Sequence, residues 1–263
     1  MHPLLTIATR AARAAGNSLL RSYENIDSLK ANSKGRNDYV SVADQKAEQV
    51  LMETLLKNYP DHGFIAEESG EIKADAEVVW IIDPLDGTTN YLHGIPHFCI
   101  SMAARIKGRI EHGLIYDPLR DELFTASRGG GAALNDKRIR VSNKLRLDQA
   151  LLATALPFHS AIPLERYLQE LTHLYPQCSD IRRMGSAALD LAYVAAGRFD
   201  GYWEYGIKIW DIAAGALIVQ EAGGIVSDMN GGSDMGGANG IMCANPKLFK
   251  QLAQAIRGQQ VNS

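Results

Sequence analysis

The sequence predicts a mixed α/β fold built in two halves, and three observations carry that expectation. Segments with helical and strand-like patterns alternate along the chain. The pair "FCISMAARI" and "RIEHGLIYD" meets at Lys107-Gly108, a tight-turn signature, so part of the sheet is antiparallel. The character changes after about residue 145, which gives one domain over 1–263 with an α+β half (about 1–145) and an α/β half (about 146–263).

Taken in order, residues 3–24 carry apolar positions at helical spacing with Arg10 and Arg13 on the other face, an amphipathic first helix. "VADQKAEQVLMETLLKN" (42–58) reads as a second helix, joined to the first by the polar segment "KANSKGRNDY". "GFIAEES", "VVWIID" and "ELFTASRG" are strand signals beside the hairpin pair, and the glycine-rich "RGGGAALN" reads as a further hairpin because no nucleotide-binding helix follows it. In the second half "LLATAL" is strand-like, "LERYLQELTHLY" helical, and "SAALDLAYVAAGRFDG" a small-residue helix ended by Gly197. "GYWEYG" is strand-like, "DIAAGALIVQEAGG" is a helix with Gly223 and Gly224 past its end, and "IVSDMNGG" is a strand with a turn. "GGSDMGGANG" is a short flexible loop, and the sequence contains no internal repeat.

Composition narrows the function. A chain of 263 residues with 46% hydrophobic and 22% charged residues is ordinary for a soluble protein with a sizeable core. A formal charge of -3 and a pI near 6.2 lack the basic excess of a nucleic-acid binder, so direct nucleic-acid binding is not expected. There is no apolar run of the roughly 18 residues a membrane span needs, and the first residues lack a signal-peptide layout, which predicts a cytoplasmic protein without membrane contact. Cys99, Cys178 and Cys243 lack CxxC spacing and read as reduced packing residues.

The chemistry concentrates in "WIIDPLDGTTNYLHG", residues 80–94. The apolar "VVWII" reads as a buried strand, and Pro84 and Gly87 are expected to end it, leaving Asp83 and Asp86 at the strand end. Glu67 and Glu68 of "AEES" close another strand, and Asp211 of "WD" opens a helix. Taken alone, Asp83 and Asp86 could cap a turn, Glu67-Glu68 form a solvated acidic loop, and Asp211 cap its helix. If Glu67, Asp83, Asp86 and Asp211 converge, each pair 4 Å apart repels by roughly 4 kcal/mol at a protein-like dielectric. Several such pairs rival the whole stability of a domain, about 5–15 kcal/mol. Convergence therefore requires cations. An all-oxygen donor set selects hard ions, Mg²⁺ first and Mn²⁺ or Ca²⁺ as competitors, with the Leu85 carbonyl as a further ligand.

A helical turn at "GTTN" would aim free amides and the Thr88 and Thr89 hydroxyls at the same place, holding a phosphate between amides and cations. This suits metal-assisted phosphate ester hydrolysis, with Glu68 or Thr88 orienting the water. The D-x-x-D spacing differs by one residue from the D-x-D-x-T of aspartyl-phosphate enzymes. GxSxG, C-x5-R and GxxxxGK[ST] are all absent, so water is the economical nucleophile. His93 and His97 flank Pro96, but imidazole suits Mg²⁺ poorly and both read as structural.

"DPLDGTT", with "EES" upstream and "WD-x-A-A-G" downstream, resembles the inositol monophosphatase family, and "GSAALDLAYVAAGRFDGYWE" and "EAGGIVSD" extend the likeness over nearly the whole chain. The bacterial SuhB-type members of the family look most similar. The resemblance implies a layered αβαβα sandwich, a homodimer, and Mg²⁺-dependent, lithium-sensitive hydrolysis of inositol monophosphates or related sugar, polyol or nucleotide phosphates, with two or three Mg²⁺ per site. It implies metal ligation by Glu67, Asp83, Leu85, Asp86 and Asp211, and water activation by Glu68 and Thr88. Substrate contacts fall to Leu85, Asp86, Gly87, Thr88, Arg182, Ala187, Glu204 and Asp211. Arg182 and Arg183 are neighbours, so on a strand at most one reaches substrate, and Glu204 also has a reading as a buried structural acid. Lys34 is left unassigned because its loop aligns poorly. The SuhB-type likeness further implies contact with RNA polymerase or Nus factors.

Overall fold

The apolar stripe of the first helix is buried as its spacing predicts. In α1 (Pro3–Tyr23), Leu4, Leu5, Ala8, Ala11, Ala12, Ala15 and Leu19 are buried, while Arg10 and Arg13 stay exposed. His2 caps the helix, its Nδ1 accepting from the Leu4 N–H at 3.3 Å, and Pro3 follows at the first turn, where a missing N–H costs nothing. The computed structural model describes residues 2–24, 31–35, 38–157 and 162–258, the side chains of 31–41 excepted. β1 (Ala31–Gly35) and β2 (Asp38–Ser41) pair antiparallel, so the polar segment between the first two helices contains a ribbon. Its pairing runs through backbone groups and needs none of the apolar alternation that marks a core strand. α2 (Val42–Asn58) then packs along α1.

Eight strands follow in one sheet: β3 (Gly63–Ala66), β4 (Gly70–Ile72), β5 (Val78–Asp86), β6 (Cys99–Ile106), β7 (Arg109–Asp117), β8 (Glu122–Ser127), β9 (Gly131–Leu134) and β10 (Lys137–Arg138). Their spatial order is β10-β9-β8-β7-β6-β5-β3-β4, with β3 and β5 parallel and the other neighbours antiparallel. The turn between β6 and β7 is at Lys107-Gly108, both with positive φ, as that hairpin requires. "RGGGAALN" makes the β8–β9 hairpin. Period-two alternation sorts the side chains. Trp80, Ile82, Ile100, Met102, Leu114 and Tyr116 enter the core under α1 and α2, whereas Ile81, Cys99, Ala103 and Ile115 enter the core on the opposite face.

The opposite face is covered by α5 (Ala187–Ala195) and α6 (Ile209–Glu221), which also cover a second sheet. That sheet is built from β11 (Leu151–Thr154), β12 (Asp180–Arg182), β13 (Gly201–Glu204), β14 (Ile225–Ser227) and β15 (Ile241–Ala244), in the order β12-β11-β13-β15-β14. Ala153, Tyr202 and Cys243 face α5 and α6, while Leu152, Trp203 and Met242 face α4 (Leu164–Leu174) and α7 (Pro246–Ile256). The layers are therefore α1/α2, large sheet, α5/α6, small sheet, α4/α7: an αβαβα sandwich. Small residues let the middle layer pack closely. A side chain at Gly215 would sit 2.6 Å from Leu191, and one at Gly113 would sit 2.8 Å from the Ala214 carbonyl. The three cysteines are free thiols, with Cys99 and Cys243 buried.

Candidate active site

β5 does not end at Pro84. It runs on through Asp86 with an irregularity in its pairing: Asp83 opposes Ser101 and Asp86 opposes Cys99, three steps on β5 against two on β6. This is a bulge of one extra residue, and Pro84 falls inside it, where no ladder N–H is needed. The bulge also decides where the acids point. In a regular strand Asp83 and Asp86 would face opposite sides, but the extra residue aligns both with Ser101 and Cys99 on the face toward α5 and α6.

Each acid is then held by donors. Asp83 Oδ1 accepts from the Leu85 N–H at 2.9 Å, closing a turn over Pro84. Asp86 Oδ2 accepts from Ser186 Oγ at 2.7 Å and from the Ala188 N–H at 2.6 Å, at the start of α5. Ser186 is also the N-cap of that helix, accepting from the Leu189 N–H at 3.4 Å. Asp211 lies in the first turn of α6 and accepts from the Lys208 N–H at 2.8 Å. Glu67 and Glu68 lie in the turn between β3 and β4 rather than in a strand; the Glu67 N–H donates to the Ile82 carbonyl at 3.2 Å.

Gly87 is the hinge of the site. Its φ of 97° is left-handed, and a Cβ there would meet the His97 carbonyl at 3.0 Å and the Gly185 carbonyl at 3.3 Å. The chain turns at Gly87 into the short helix α3 (Thr88–Leu92), the helical turn expected at "GTTN". The Thr88 hydroxyl donates to the Leu85 carbonyl at 2.9 Å, so the two groups assigned to water and metal touch each other. Asn90 Nδ2 donates to the His97 and Met184 carbonyls at 2.8 and 2.9 Å, joining this segment to the loop before α5.

The electrostatics tie the acids into one group. Burial, then the Glu67, Asp86 and Asp211 charges, hold Asp83 well above the usual carboxylate range. Burial and the Asp86 charge do the same for Asp211. Burial also raises Asp86, against the opposing pull of its Ser186 and α5 hydrogen bonds. Glu67 is pushed up to about 7 by burial and by Glu68, with Asp44 and Asp86 adding to the rise and a hydrogen bond with Asp83 working against it. The donors are all oxygen, and the acids resist ionisation in one another's presence, which is the electrostatic demand that a hard cation meets. Among the described residues no three His, Cys, Asp or Glu side chains close around one point, and Asp83, Asp86 and Asp211 each accept from a protein donor through one oxygen. The donor chemistry of these acids fits Mg²⁺.

On the far side, Ala187 opens α5 and Glu204 ends β13, where its carboxylate accepts from the Tyr202 hydroxyl. Burial raises Glu204 to about 7, with Asp86 adding to the effect and Arg183 opposing it. Arg182 and Arg183 are both exposed; Arg182 is ion-paired with Asp180 on β12, and Arg183 is the arginine whose charge reaches Glu204 and Asp190. The side chain of Lys34 lies outside the described residues. His97 is buried against Tyr193 with its pKa lowered to about 4 by burial, and His93 is exposed.

Three groups escaped the sequence reading. Asp190 is 1% exposed in α5, beside Glu204 and Asp86. Ser186 ties Asp86 to α5. Glu48, buried on α2, accepts from the Glu68 N–H at 2.9 Å. An acid on the core face of a helix is a sequence signal, and both Asp190 and Glu48 carry it.

Comparison with known proteins agrees with this architecture. The inositol monophosphatase family matches residues 1–261. The Nus factor SuhB of Escherichia coli (strain K12) is 50% identical over 260 residues, covering 98% of this chain and 97% of its own. The crystal structure of the extragenic suppressor protein SuhB from Bartonella henselae superposes with a TM-score of 0.94 at 47% identity, covering 97% of this chain and 99% of its own. An inositol monophosphatase from Anabaena (Nostoc) sp. PCC 7120 gives 0.82 at 37% identity, covering 98% and 96%. A bulged strand that turns two aspartates to one face, a glycine hinge behind them and a match from end to end place this chain in the inositol monophosphatase family.

Proposed function

We propose that this protein is a Mg²⁺-dependent phosphatase that hydrolyses myo-inositol 1-phosphate to inositol and phosphate. The observation that carries the reading is that Glu67, Asp83 and Asp211 are each raised by burial and by the charge of Asp86, beside the Gly87 hinge, in a chain of this family. Those four acids and the Leu85 carbonyl are the groups that would hold two or three Mg²⁺. When bound, Mg²⁺ neutralises the acids and the phosphate and makes water a better nucleophile at neutral pH. Glu68 and Thr88 orient the attacking water. Gly87 and Thr88, with Leu85 and Asp86, face the phosphate, while Ala187, Glu204 and Asp211 face the polyol. Arg182 belongs to the substrate side by resemblance, and the reach of Arg183 toward Glu204 makes it the stronger candidate. A homodimer is the assembly we propose.

The test is phosphate release from myo-inositol 1-phosphate, a 3'-phosphonucleotide and fructose 1,6-bisphosphate, with and without Mg²⁺, for wild type and Asp86→Asn. Mg²⁺-dependent release from the inositol ester, lost in the variant, is the expected result. Release from another ester alone replaces the substrate and keeps the site. No release from any ester defeats the reading.

A second reading has its own support, because relatives about 50% identical are named Nus factor SuhB. In it the chain is a protein partner of the transcription machinery, and its net charge of -3 favours protein over nucleic-acid contacts. Co-purification with RNA polymerase or Nus factors tests it, and rescue of a deletion by Asp86→Asn would separate this role from catalysis.

A further inference from the structure

Glu48 is an acid where the pattern of α2 calls for an apolar residue: it is 2% exposed, one turn after the equally buried Asp44. A carboxylate there costs several kcal/mol unless its oxygens are hydrogen-bonded. Both are. Oε2 accepts from the Glu68 N–H at 2.9 Å and Oε1 from the Ser69 hydroxyl, so one side chain fixes two successive residues of the turn between β3 and β4. The preceding residue of that turn, Glu67, is tied to β5 through Ile82. An aliphatic side chain at this buried position would avoid the cost of desolvating a carboxylate, and the two donors of the turn account for an acid there.

We propose that Glu48 is a positioning residue that sets the Glu67–Ser69 turn, and through it aims Glu67 at the metal position and Glu68 at the water. The proposal rests on the phosphatase reading for the roles of Glu67 and Glu68. Residues that orient ligands are typically worth about 10–100-fold in metal affinity. The conservative variant has a clear expectation. In Glu48→Gln the amide oxygen accepts from the Glu68 N–H, and the amide NH₂ donates to Ser69, whose hydroxyl serves as donor or acceptor. Glu48→Ala has neither bond.

The experiment measures Mn²⁺ binding by electron paramagnetic resonance, phosphate release, thermal melting and amide exchange at Glu68, in wild type, Glu48→Ala and Glu48→Gln. Mn²⁺ affinity should fall about tenfold in Glu48→Ala and stay within about twofold of wild type in Glu48→Gln, with faster exchange at Glu68 only in the alanine variant. Wild-type affinity and an equally protected Glu68 amide in Glu48→Ala would overturn the proposal. So would a parallel loss of affinity in both variants that merely tracks their melting temperatures. If wild type neither binds Mn²⁺ nor releases phosphate, the phosphatase reading has failed, and exchange at Glu68 alone decides whether Glu48 anchors the turn.

Discussion

Ser186 Oγ donates to Asp86 Oδ2 at 2.7 Å, tying the N-cap of α5 to the last residue of β5 across a hundred residues of sequence. With the Ala188 N–H on the same oxygen, this contact assembles the candidate site from both halves of the chain. Asp86 therefore carries two separable duties, a structural one through Oδ2 and a proposed chemical one through its charge.

Substitution separates them. In Asp86→Asn the amide oxygen still accepts from Ala188 and Ser186, so the melting temperature should stay within a few degrees. Loss of the charge removes several kcal/mol of transition-state stabilisation, which lowers turnover by about 100-fold or more. Asp86→Ala leaves buried donors unsatisfied and should cost about 1–3 kcal/mol of stability as well. Denaturant melts of both variants beside phosphate release check the contrast; equal stability of Asn and Ala variants would refute the structural half.

Gly87→Ala should destabilise the fold rather than only slow it. Its φ of 97° is costly for an L residue by about 1–2 kcal/mol, and the added Cβ meets the His97 carbonyl at 3.0 Å. The expected loss is about 2 kcal/mol or more in a chemical melt. A variant as stable as wild type would mean that the hinge relaxes freely.

Much of the fold was legible in the sequence, and the misses have physical causes. α1, α2, the Lys107-Gly108 hairpin and the glycine-ended helices follow local periodicity and turn chemistry, which the sequence carries directly. Pro84 misled because its lost N–H argues against a regular ladder, whereas the bulge removes the need for that donor. Glu48 shows in the sequence as an acid on the core face of a helix, but its role, like that of Ser186, comes from a partner 20 or 100 residues away, which local pattern does not name.

The arginine pair illustrates the same limit. Strand alternation states that Arg182 and Arg183 diverge, but it does not say which charge acts on the buried acids, and both side chains are exposed. Arg182 pairs with Asp180 at the surface, and a pair that exposed contributes about 0–1 kcal/mol. The charge of Arg183 reaches Glu204 and Asp190. Arg183→Ala should raise KM by about tenfold with a smaller change in kcat, as loss of a charge-assisted contact of about 1.5 kcal/mol implies, while Arg182→Ala changes KM by about twofold at most. Steady-state kinetics on the preferred ester decide, and the reverse ranking would return the substrate role to Arg182.

The raised carboxyls predict how stability follows pH and how a cation changes it. Glu67 and Glu204 are pushed from 4.5 up to about 7, and burial with neighbouring acid charges holds Asp83 and Asp211 well above their ordinary range, so folding favours the protonated acids. For an acid with a raised folded pKa, stability is greatest below its unfolded value and declines as pH climbs through the folded one. His62, His97 and His112 are lowered by burial and pull the other way, but only as pH falls through their unfolded value near 6.5. Between pH 7 and 8.5 the acids dominate, and the chain in EDTA should melt at a lower temperature at pH 8.5 than at pH 7. Mg²⁺ binds the ionised acids and competes with their protons, so its stabilisation, about 2.7 kcal/mol at a hundredfold excess over Kd, should be larger at pH 8.5. Scanning calorimetry at both pH values, with EDTA and with Mg²⁺, measures both slopes. A metal-free chain that melts higher at pH 8.5 would show that these carboxyls ionise freely in the fold, and Asp83→Asn, which removes one member of the group, should flatten the slope if they do not.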